Sequence, residues 1–231
     1  SFDPLRREIA RLTIENLIES AREFCQKESG VFRNELFGVT DGKAVGTFVE
    51  QLFKKFLSQR YDLTIGSSAN GLDLPSLNTD IKVTSIKQPQ SSCPYKDSKQ
   101  KIYGLGYNLI VFVYRKEDDA RKKEGKLDFL SCVFVEAKRT ADYQTTTGLL
   151  NIINNNGNVD DVFAFLSDHK IPADEVTLYN MATEILNNPP LIGYLTISNA
   201  LQWRLQYGRI VTLNEEVKGI TTIVNYVNGN K

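Results

Sequence analysis

Histidine and cysteine are too scarce in this chain for most metal-site and triad chemistry. Its 231 residues include one histidine, His169, and three cysteines, so clustered zinc ligands are absent and a serine or cysteine triad would depend on that single base. Cys25, Cys93 and Cys132 are odd in number and widely spaced, which indicates buried thiols in a reducing compartment. No Walker A sequence and no complete dinucleotide-binding glycine pattern occurs. Nucleotide hydrolysis and dinucleotide redox chemistry are therefore unsupported.

An excess of one charge and long apolar runs are missing as well. The 28 basic and 28 acidic residues give a net charge of zero, so no global field attracts the protein to nucleic acid or an anionic membrane. The uninterrupted apolar run at residues 109–114 is far shorter than the ~20 residues that cross a bilayer. The N-terminus lacks the apolar core of a signal peptide. We therefore expect a cytoplasmic protein without a membrane partner.

Length and periodicity predict one globular domain over residues 1–231. A chain of 26.1 kDa with 41% hydrophobic and 24% charged residues can bury a core. Helical spacing of apolar residues predicts helices over residues 5–28, 41–57, 143–153, 159–166 and 172–186. Shorter β-type runs predict strands over residues 63–65, 71–74, 79–86, 107–115, 129–138, 191–197 and 219–227, with a long charged hairpin loop over residues 116–126. This order predicts an α/β fold of the α+β type, with a central mixed β-sheet flanked by helices.

One stretch, residues 71–85 with the sequence GLDLPSLNTDIKVTS, combines apolar and charged residues in a strand-like pattern. Side chains alternate along a strand, so Asp80 and Lys82 share one face while Ile81 and Val83 share the other. The first face is polar and the second is apolar. The sequence therefore predicts a half-buried strand that presents an acid and a lysine together.

A hairpin at this point places a second acid beside the first. A four-residue turn after Leu74 pairs that residue with Thr79 and brings the carboxylates of Asp73 and Asp80 to roughly 5 Å across the strands. Two carboxylates this close need a cation, and carboxylates are ligands that Mg²⁺ prefers. A neighbouring lysine can orient or deprotonate an attacking water and stabilise negative charge. The pattern predicts metal-assisted phosphodiester hydrolysis.

Asp73, Asp80 and Lys82 together resemble the motif of the PD-(D/E)xK nuclease superfamily, above all that of type II restriction endonucleases. In that motif an acid on one strand is followed by acid-x-lysine on the next, and here Leu72 stands where proline often precedes the first acid. The spacing is also similar to that of the methyl-directed mismatch-repair nicking endonuclease. The resemblance covers about residues 43–138. It implies a restriction-endonuclease-like fold, DNA as the substrate, and Mg²⁺, which Mn²⁺ can replace, bound by the acids.

Many such nucleases also carry a glutamate on a helix before the sheet, and residues 46–57, GTFVEQLFKKFL, look like that segment. The resemblance implies that Glu50 supports the metal site, directly or through water, and so joins the three motif residues in the predicted catalytic set. The alternative is that Glu50 is an ordinary solvated helix residue, paired with Lys54 four positions later.

A second set of residues, Asp128, Glu136 and Lys138, also matches a loosened form of the motif. Geometry disfavours it, because Asp128 and Glu136 would lie about 26 Å apart on one strand, at ~3.3 Å per residue. Two alternatives stay open for Glu136 and Lys138: they lie near the catalytic site, or they form an ion pair at the end of a strand.

Two stretches carry donors suited to DNA. Residues 82–101 hold five lysines against one aspartate, and residues 198–209 add arginines and glutamines, which can read guanine and adenine respectively. The alternative for both stretches is solvated or partly buried surface. The predicted DNA-binding residues are Lys87, Gln88, Gln90, Lys99, Lys101, Arg204 and Arg209.

These features together predict a Mg²⁺-dependent, sequence-specific endonuclease of double-stranded DNA. A two-fold symmetric target is matched by a two-fold symmetric protein, so we expect a homodimer. We expect no nucleotide cofactor. The resemblance implies restriction-modification in a prokaryotic cytoplasm as the setting. The alternatives are a strand-nicking repair endonuclease and a non-catalytic DNA-binding module with the same fold.

Overall fold

Helices and strands are interspersed along the chain in the computed structural model, which describes residues 10–63, 71–94, 96–199 and 203–227. The helices are α1 (Ile14–Glu28), α2 (Gly42–Ser58), α3 (Gln100–Tyr103), α4 (Tyr143–Asn154), α5 (Val159–Asp168), α6 (Glu175–Asn187) and α7 (Gly208–Val211). The strands are β1 (Phe32–Arg33), β2 (Thr79–Ser85), β3 (Gln90–Cys93), β4 (Asn108–Asp119), β5 (Glu124–Val135), β6 (Thr196–Ser198), β7 (Trp203–Gln206) and β8 (Ile220–Asn225). This confirms the predicted mixed α/β class.

The chain divides into two units, each built from segments that are not contiguous in sequence. The first unit holds α1, α2, β1, β2 and the greater part of β4, β5 and β8. The second holds β3, β6, β7 and the helices α3 to α7. The assignment of residues 1–231 to one domain stays a prediction.

The helices of the first unit begin at capping side chains. Thr13 Oγ1 accepts a hydrogen bond from the Asn16 amide (3.2 Å) and starts α1. The predicted helix over residues 5–28 was therefore too long at its N-terminal end, and residues 5–9 lie outside the described residues. Asp41 Oδ1 accepts from the Lys43 amide (3.1 Å) and starts α2 where the sequence predicted.

An aromatic cluster forms the centre of the first unit's core. Phe24 of α1 and Phe53 of α2 have ring centroids 5.1 Å apart, and Phe53 lies 4.9 Å from Phe112 of β4. All three side chains are fully buried. Tilted aromatic contacts of this kind add to the stabilisation from buried area alone. The cluster holds α2 against the sheet, which positions the helix that carries Glu50.

The central sheet has the strand order β1-β5-β4-β2, with β8 also paired to β5. The charged segment 116–126, predicted as a long loop, is mostly strand, because β4 and β5 continue until only residues 120–123 remain as the turn. Lys126 forms an ion pair with Glu117 of the opposite strand (3.2 Å), and opposite charges across strands stabilise a hairpin in water. The side chain of Asp119 accepts two backbone hydrogen bonds within the turn.

The second unit combines a three-stranded antiparallel sheet, β3-β7-β6, with an apolar core between helices. Leu149 of α4, Leu166 of α5 and Ile185 of α6 are buried in that core. The helix predicted from Pro172 begins later, at Glu175, because Asp174 caps it by accepting from the Thr177 amide (2.7 Å).

Several shorter predictions need correction. The strand predicted over 191–197 is reduced to β6, and only Leu74 of the predicted strand 71–74 pairs, in a single bridge. The strands β3 and β7 were not predicted. Of the predicted strand 63–65, residue 63 lies in a turn and the other two lie outside the described residues.

The expectation that the cysteine thiols are buried is confirmed. The thiols of Cys25, Cys93 and Cys132 are free and buried. His169 ends α5, where its Nδ1 lies 2.9 Å from the Phe165 carbonyl oxygen on an exposed surface. Within the described ranges, no helix is both long and apolar enough to cross a membrane.

Candidate active site

The predicted hairpin around Leu74 and Thr79 is present. These residues form an antiparallel bridge, in which the Leu74 amide donates to the Thr79 carbonyl (3.0 Å) and the Thr79 amide donates to the Leu74 carbonyl (3.2 Å). A 3₁₀ turn over Pro75–Leu77 joins them and ends at Asn78, with φ of 49°. Asparagine tolerates this left-handed conformation better than most residues. The two motif acids are the next residues outward from the bridge.

Asp73 and Asp80 lie side by side, and each carboxylate is held by the opposite strand. The Asp73 amide donates to Asp80 Oδ1 (3.2 Å), and the Ile81 amide donates to Asp73 Oδ2 (2.9 Å). The side chains are only 17% and 16% exposed. The hairpin therefore brings two carboxylates together in a partly buried position.

Helix α2 adds a third carboxylate and a lysine. Lys54 Nζ lies 3.0 Å from Glu50 Oε1 and 3.0 Å from Asp73 Oδ1. Glu50 and Lys54 are one helical turn apart, next to Val49 and Phe53, whose burial anchors this face of α2. Glu50 thus forms the i,i+4 ion pair with Lys54 that was the alternative to a role at the site. Because the Lys54 ammonium also pairs with Asp73, it links Glu50 to the hairpin.

Lys82 lies on the same face of β2 as Asp80, as the alternation predicted. Its Nζ is 3.2 Å from Asp80 Oδ2, and its side chain is 17% exposed. Ile81 between them is buried in the core of the first unit. The structure therefore brings an acid, a second acid and a lysine together on one hairpin.

The carboxyl groups shift each other's pKa values in opposite directions. Burial, with the neighbouring Asp73 adding to it and Lys82 opposing it, raises the pKa of Asp80 to about 6. Burial also disfavours ionised Asp73, but hydrogen bonds from Asp80, Glu50 and Lys54 outweigh it and hold the pKa of Asp73 below its ordinary value. Burial and Asp73 raise the pKa of Glu50. Ionisation of all three carboxyl groups at once is therefore unfavourable unless a further cation binds beside them.

The donor set fits a small hard cation. Mg²⁺ is typically bound by one or two carboxylates, with water and substrate phosphate as the other ligands, and Asp73 and Asp80 supply such a pair. In the part of the chain that the structure describes, no three acidic, histidine or cysteine side chains already form a metal cage. The Lys54 ammonium lies between Glu50 and Asp73 and pairs with both carboxylates.

The rival motif residues have other partners. Asp128 Oδ2 lies 3.5 Å from Arg115 and 3.4 Å from Lys126. Glu136 pairs with Lys138 (3.4 Å), with both side chains nearly half exposed. Glu136 directly follows β5, so this contact is the strand-end ion pair that the sequence analysis left open.

Comparison with known proteins decides the family. Residues 11–222 match the model of the family described as type II restriction enzyme NspV. A relative from Nostoc sp., the type II restriction enzyme NspV, is 52% identical over 212 residues, which are 92% of this chain and 96% of the relative. The chain belongs to the NspV family of type II restriction enzymes. No solved structure matches it.

Membership of the NspV family makes the protein an enzyme of the site-specific deoxyribonuclease class. The alternative of a non-catalytic DNA-binding module is therefore wrong. The matched residues include the whole hairpin and α2, so the acid-acid-lysine set lies within the part of the chain that defines the NspV family.

In this NspV-family chain, Lys87 and Gln88 lie just beyond β2. Both are exposed in the turn after β2. The Lys87 amide donates to Ser85 Oγ (3.2 Å), and the Gln88 carbonyl accepts from Thr84 Oγ1 (3.3 Å). These bonds hold the turn through the backbone and leave the two side chains directed to solvent.

The other predicted DNA contacts belong to the second unit. Gln90 is on β3 and the exposed Arg204 is on β7. The guanidinium of Arg209 stacks on the Tyr143 ring, 3.6 Å from its centroid. Lys99 pairs with Glu184 (2.7 Å) at an exposed position, and such surface pairs are weak enough to exchange for a phosphate.

Lys101 was wrongly predicted as a DNA contact. It is only 8% exposed, and its Nζ lies 5.6 Å from the centroid of the Trp203 ring. Burial lowers its pKa, and nearby Asp142 partly offsets this. Its neighbour Gln100 is also buried and accepts a hydrogen bond from Trp203 Nε1 (2.8 Å). Tyr95 and Gln202, from the same two stretches, lie outside the described residues.

Lys54 is the site residue whose position the sequence analysis did not predict. From the sequence, Lys54 was expected only as the i,i+4 partner of a solvated Glu50. The available signal was its spacing, because Gly46, Glu50 and Lys54 follow one another at i,i+4 and so share one side of α2. Only the packing of α2 on the hairpin strand shows that this side faces Asp73.

Proposed function

We propose that this protein cleaves double-stranded DNA at a specific sequence with Mg²⁺, or Mn²⁺ in its place, at a PD-(D/E)xK site. The proposed metal ligands are Asp73 and Asp80, with Glu50 bound directly or through water, and Lys82 is the fourth catalytic residue. The observation that carries the proposal is the Asp73–Asp80 contact on the hairpin, with Lys82 on the same face. A divalent ion explains why two partly buried carboxylates are held against each other.

The residues of the hairpin have separate roles in this proposal. A divalent ion held there would supply Lewis acidity at the scissile phosphate and would favour ionisation of the attacking water. Asp73 and Asp80 hold the ion, and their backbone anchors to the opposite strand keep the two carboxylates in register. Hydrolysis forms a bond from the water oxygen to phosphorus, breaks one phosphorus–oxygen ester bond and transfers a proton to the leaving oxygen.

Lys82 acts on the phosphate in this scheme. Because Lys82 is ion-paired with Asp80, its ammonium donates hydrogen bonds, and it can reach a non-bridging oxygen of a phosphate bound beside Asp80. The charge on that oxygen grows as water attacks, so a fixed cation stabilises the transition state more than the ground state. Lys82 also helps to orient the attacking water.

The proposed DNA contacts are exposed or half-buried polar side chains. The proposed contacts are Lys87, Gln88, Gln90, Lys99, Arg204 and Arg209; Lys101 is excluded by its burial. A homodimer is proposed because cleavage of both strands of a two-fold site needs two catalytic centres related by two-fold symmetry. The proposed setting is a restriction-modification system in the cytoplasm of a prokaryote, without a nucleotide cofactor.

Cleavage of phage DNA tests the proposal. Purified protein is incubated with unmethylated phage DNA and Mg²⁺, Mn²⁺ or EDTA, beside Asp80→Ala and the control Glu216→Gln, which changes an exposed acid. Discrete bands with either metal, retained in the control and lost in Asp80→Ala and in EDTA, are expected. Nicks in one strand of a supercoiled plasmid would instead show a strand-nicking enzyme, and full activity of Asp80→Ala would overturn the site.

A further inference from the structure

The three-stranded sheet of the second unit carries two transverse rows of polar residues. In its register, Arg204 of β7 is paired with Ser92 of β3 on one side and Ser198 of β6 on the other. Two residues along β7, Gln206 is paired in the same way. Its partners are Gln90 and Thr196.

The two rows share one face of the sheet. Directly paired residues of antiparallel strands point to the same side, and residues two apart on one strand do so as well. Burial agrees, because Arg204 is exposed whereas Trp203 and Leu205, the alternate residues of β7, are buried. Ile197 of β6 is buried with them. One face is therefore core, and the other carries the two polar rows, in which Arg204 and Ser92 are exposed and the other four residues are half-buried.

This polar face has a composition suited to base edges. Its two rows contain one guanidinium, two amides and three hydroxyls, with no carboxylate and no large apolar side chain. Among the described residues, no hydrogen bond or ion pair engages the Arg204 guanidinium. With strands about 4.8 Å apart, the rows span about 10 Å, which a major groove about 12 Å wide accommodates.

We propose that this face is the base-reading surface of the enzyme, inserted into the DNA major groove, with Arg204 reading a guanine and Gln206 reading an adenine. Arginine bonds to guanine O6 and N7 in a bidentate manner, and glutamine bonds to adenine N6 and N7. Ser92, Ser198, Gln90 and Thr196 flank these two readers. The proposal rests on the function proposed above and deepens it, because it separates the residues that choose the sequence from those that cut.

The test compares conservative variants on DNA of varied sequence. Wild type first identifies the cognate site by sequencing the ends that it produces from phage DNA. The variants Arg204→Lys and Gln206→Ala are then measured as kcat/KM on that site and on every single-base substitution of it. The matched controls are Arg121→Lys and Gln26→Ala, both exposed positions of the first unit. Thermal melting of each variant monitors folding.

The expected result is a change in discrimination at one kind of base pair for each variant. Arg204→Lys keeps the charge but loses the bidentate fork, so kcat/KM on the cognate site falls by about 5- to 150-fold. On sites in which the guanine read by Arg204 is replaced, kcat/KM of the variant stays close to that of wild type. Gln206→Ala loses discrimination at an adenine in the same way. The controls keep the wild-type profile.

Two kinds of failure are distinguishable. If folded Arg204→Lys and Gln206→Ala keep the wild-type profile at every position, the sheet face does not read bases, although the cleavage proposal stands. A loss of activity that is equal on all sequences would make this face a phosphate contact and would also overturn the inference. If wild type itself fails to cut with Mg²⁺ or Mn²⁺, the proposed function fails instead.

Discussion

The Asp73 amide donates a hydrogen bond to the Asp80 carboxylate (3.2 Å), so each acid of the pair is positioned by the strand that carries the other. Burial and the interaction between the two side chains separate their ionisation, since the pKa of Asp73 is lowered and that of Asp80 is raised to about 6. A pair that shares a proton in this way is prepared for a divalent ion, which replaces the proton when it binds.

Asp80→Asn is expected to stabilise the metal-free protein above neutral pH. Folding raises the pKa of Asp80 from 3.8 to about 6. Its contribution to stability is therefore present below pH 4 and is lost as the pH rises through about 6. Asparagine does not ionise and still accepts the hydrogen bond from the Asp73 amide. The free energy of unfolding at pH 8 is therefore expected to rise by about 1–3 kcal/mol. Urea unfolding with EDTA at pH 4 and pH 8 measures this. An equal effect of the substitution at both pH values would contradict it.

Lys54→Met is expected to increase the dependence of stability on metal. The Lys54 ammonium is the cation that Glu50 and Asp73 share, so its removal lowers the melting temperature in EDTA. Because these side chains are about one third exposed or less, the destabilisation is modest, about 0.5–1 kcal/mol. The same change frees Glu50 for the ion, so the apparent Kd for Mn²⁺ falls.

Lys55→Met is the control for that experiment, because Lys55 lies on the exposed side of α2. It should leave both the melting temperature and the Kd unchanged. A weaker affinity for Mn²⁺ in Lys54→Met would show that Lys54 supports the metal site rather than competing with it.

Lys82→Ala is expected to reduce kcat far more than it changes KM. The ammonium acts where charge develops in the transition state, and removing one such donor costs about 10²–10³ in kcat. Single-turnover cleavage of a cognate duplex measures the chemical step directly. Lys55→Ala should cleave at the wild-type rate. A variant with normal kcat and raised KM would assign Lys82 to DNA binding only.

Lys101→Met is expected to leave DNA binding unchanged. Lys101 is buried over Trp203, and methionine fills a similar volume without a charge that burial disfavours. A lysine bound to a phosphate would contribute about one unit to the slope of log K against log salt concentration. Titrations of DNA binding between low and moderate salt should give the wild-type slope for Lys101→Met. A reduced slope would place Lys101 at the DNA after all.

The hairpin that carries Asp73 and Asp80 was predictable because its determinants are local. The pairing of Leu74 with Thr79 follows from turn length, and the shared face of Asp80 and Lys82 follows from strand alternation. These relationships span fewer than ten residues along the chain. The α/β class was predictable for a similar reason, since helical and strand periodicities are read in short windows.

The remaining features depend on contacts that no short window contains. Lys54 reaches Asp73 only because α2 packs on the hairpin strand. Lys101 is buried because Trp203, about a hundred residues later, covers it. The strands β3 and β7 each have four residues and depend on pairing, β3 with β7 and β7 also with β6. Their sequences alone were too short and polar to indicate strands.

Direct measurement of metal binding tests the central claim that Asp73 and Asp80 form the metal site of this enzyme. Calorimetric titration of Mn²⁺ or Mg²⁺ into wild type without DNA, so that no cleavage contributes heat, is compared with the same titration of Asp80→Asn. The control Glu216→Gln also removes one carboxylate, but at an exposed position outside the proposed site. The account predicts a binding isotherm for wild type and control that is lost or weakened at least tenfold in Asp80→Asn. Undiminished binding by a folded Asp80→Asn variant would contradict it.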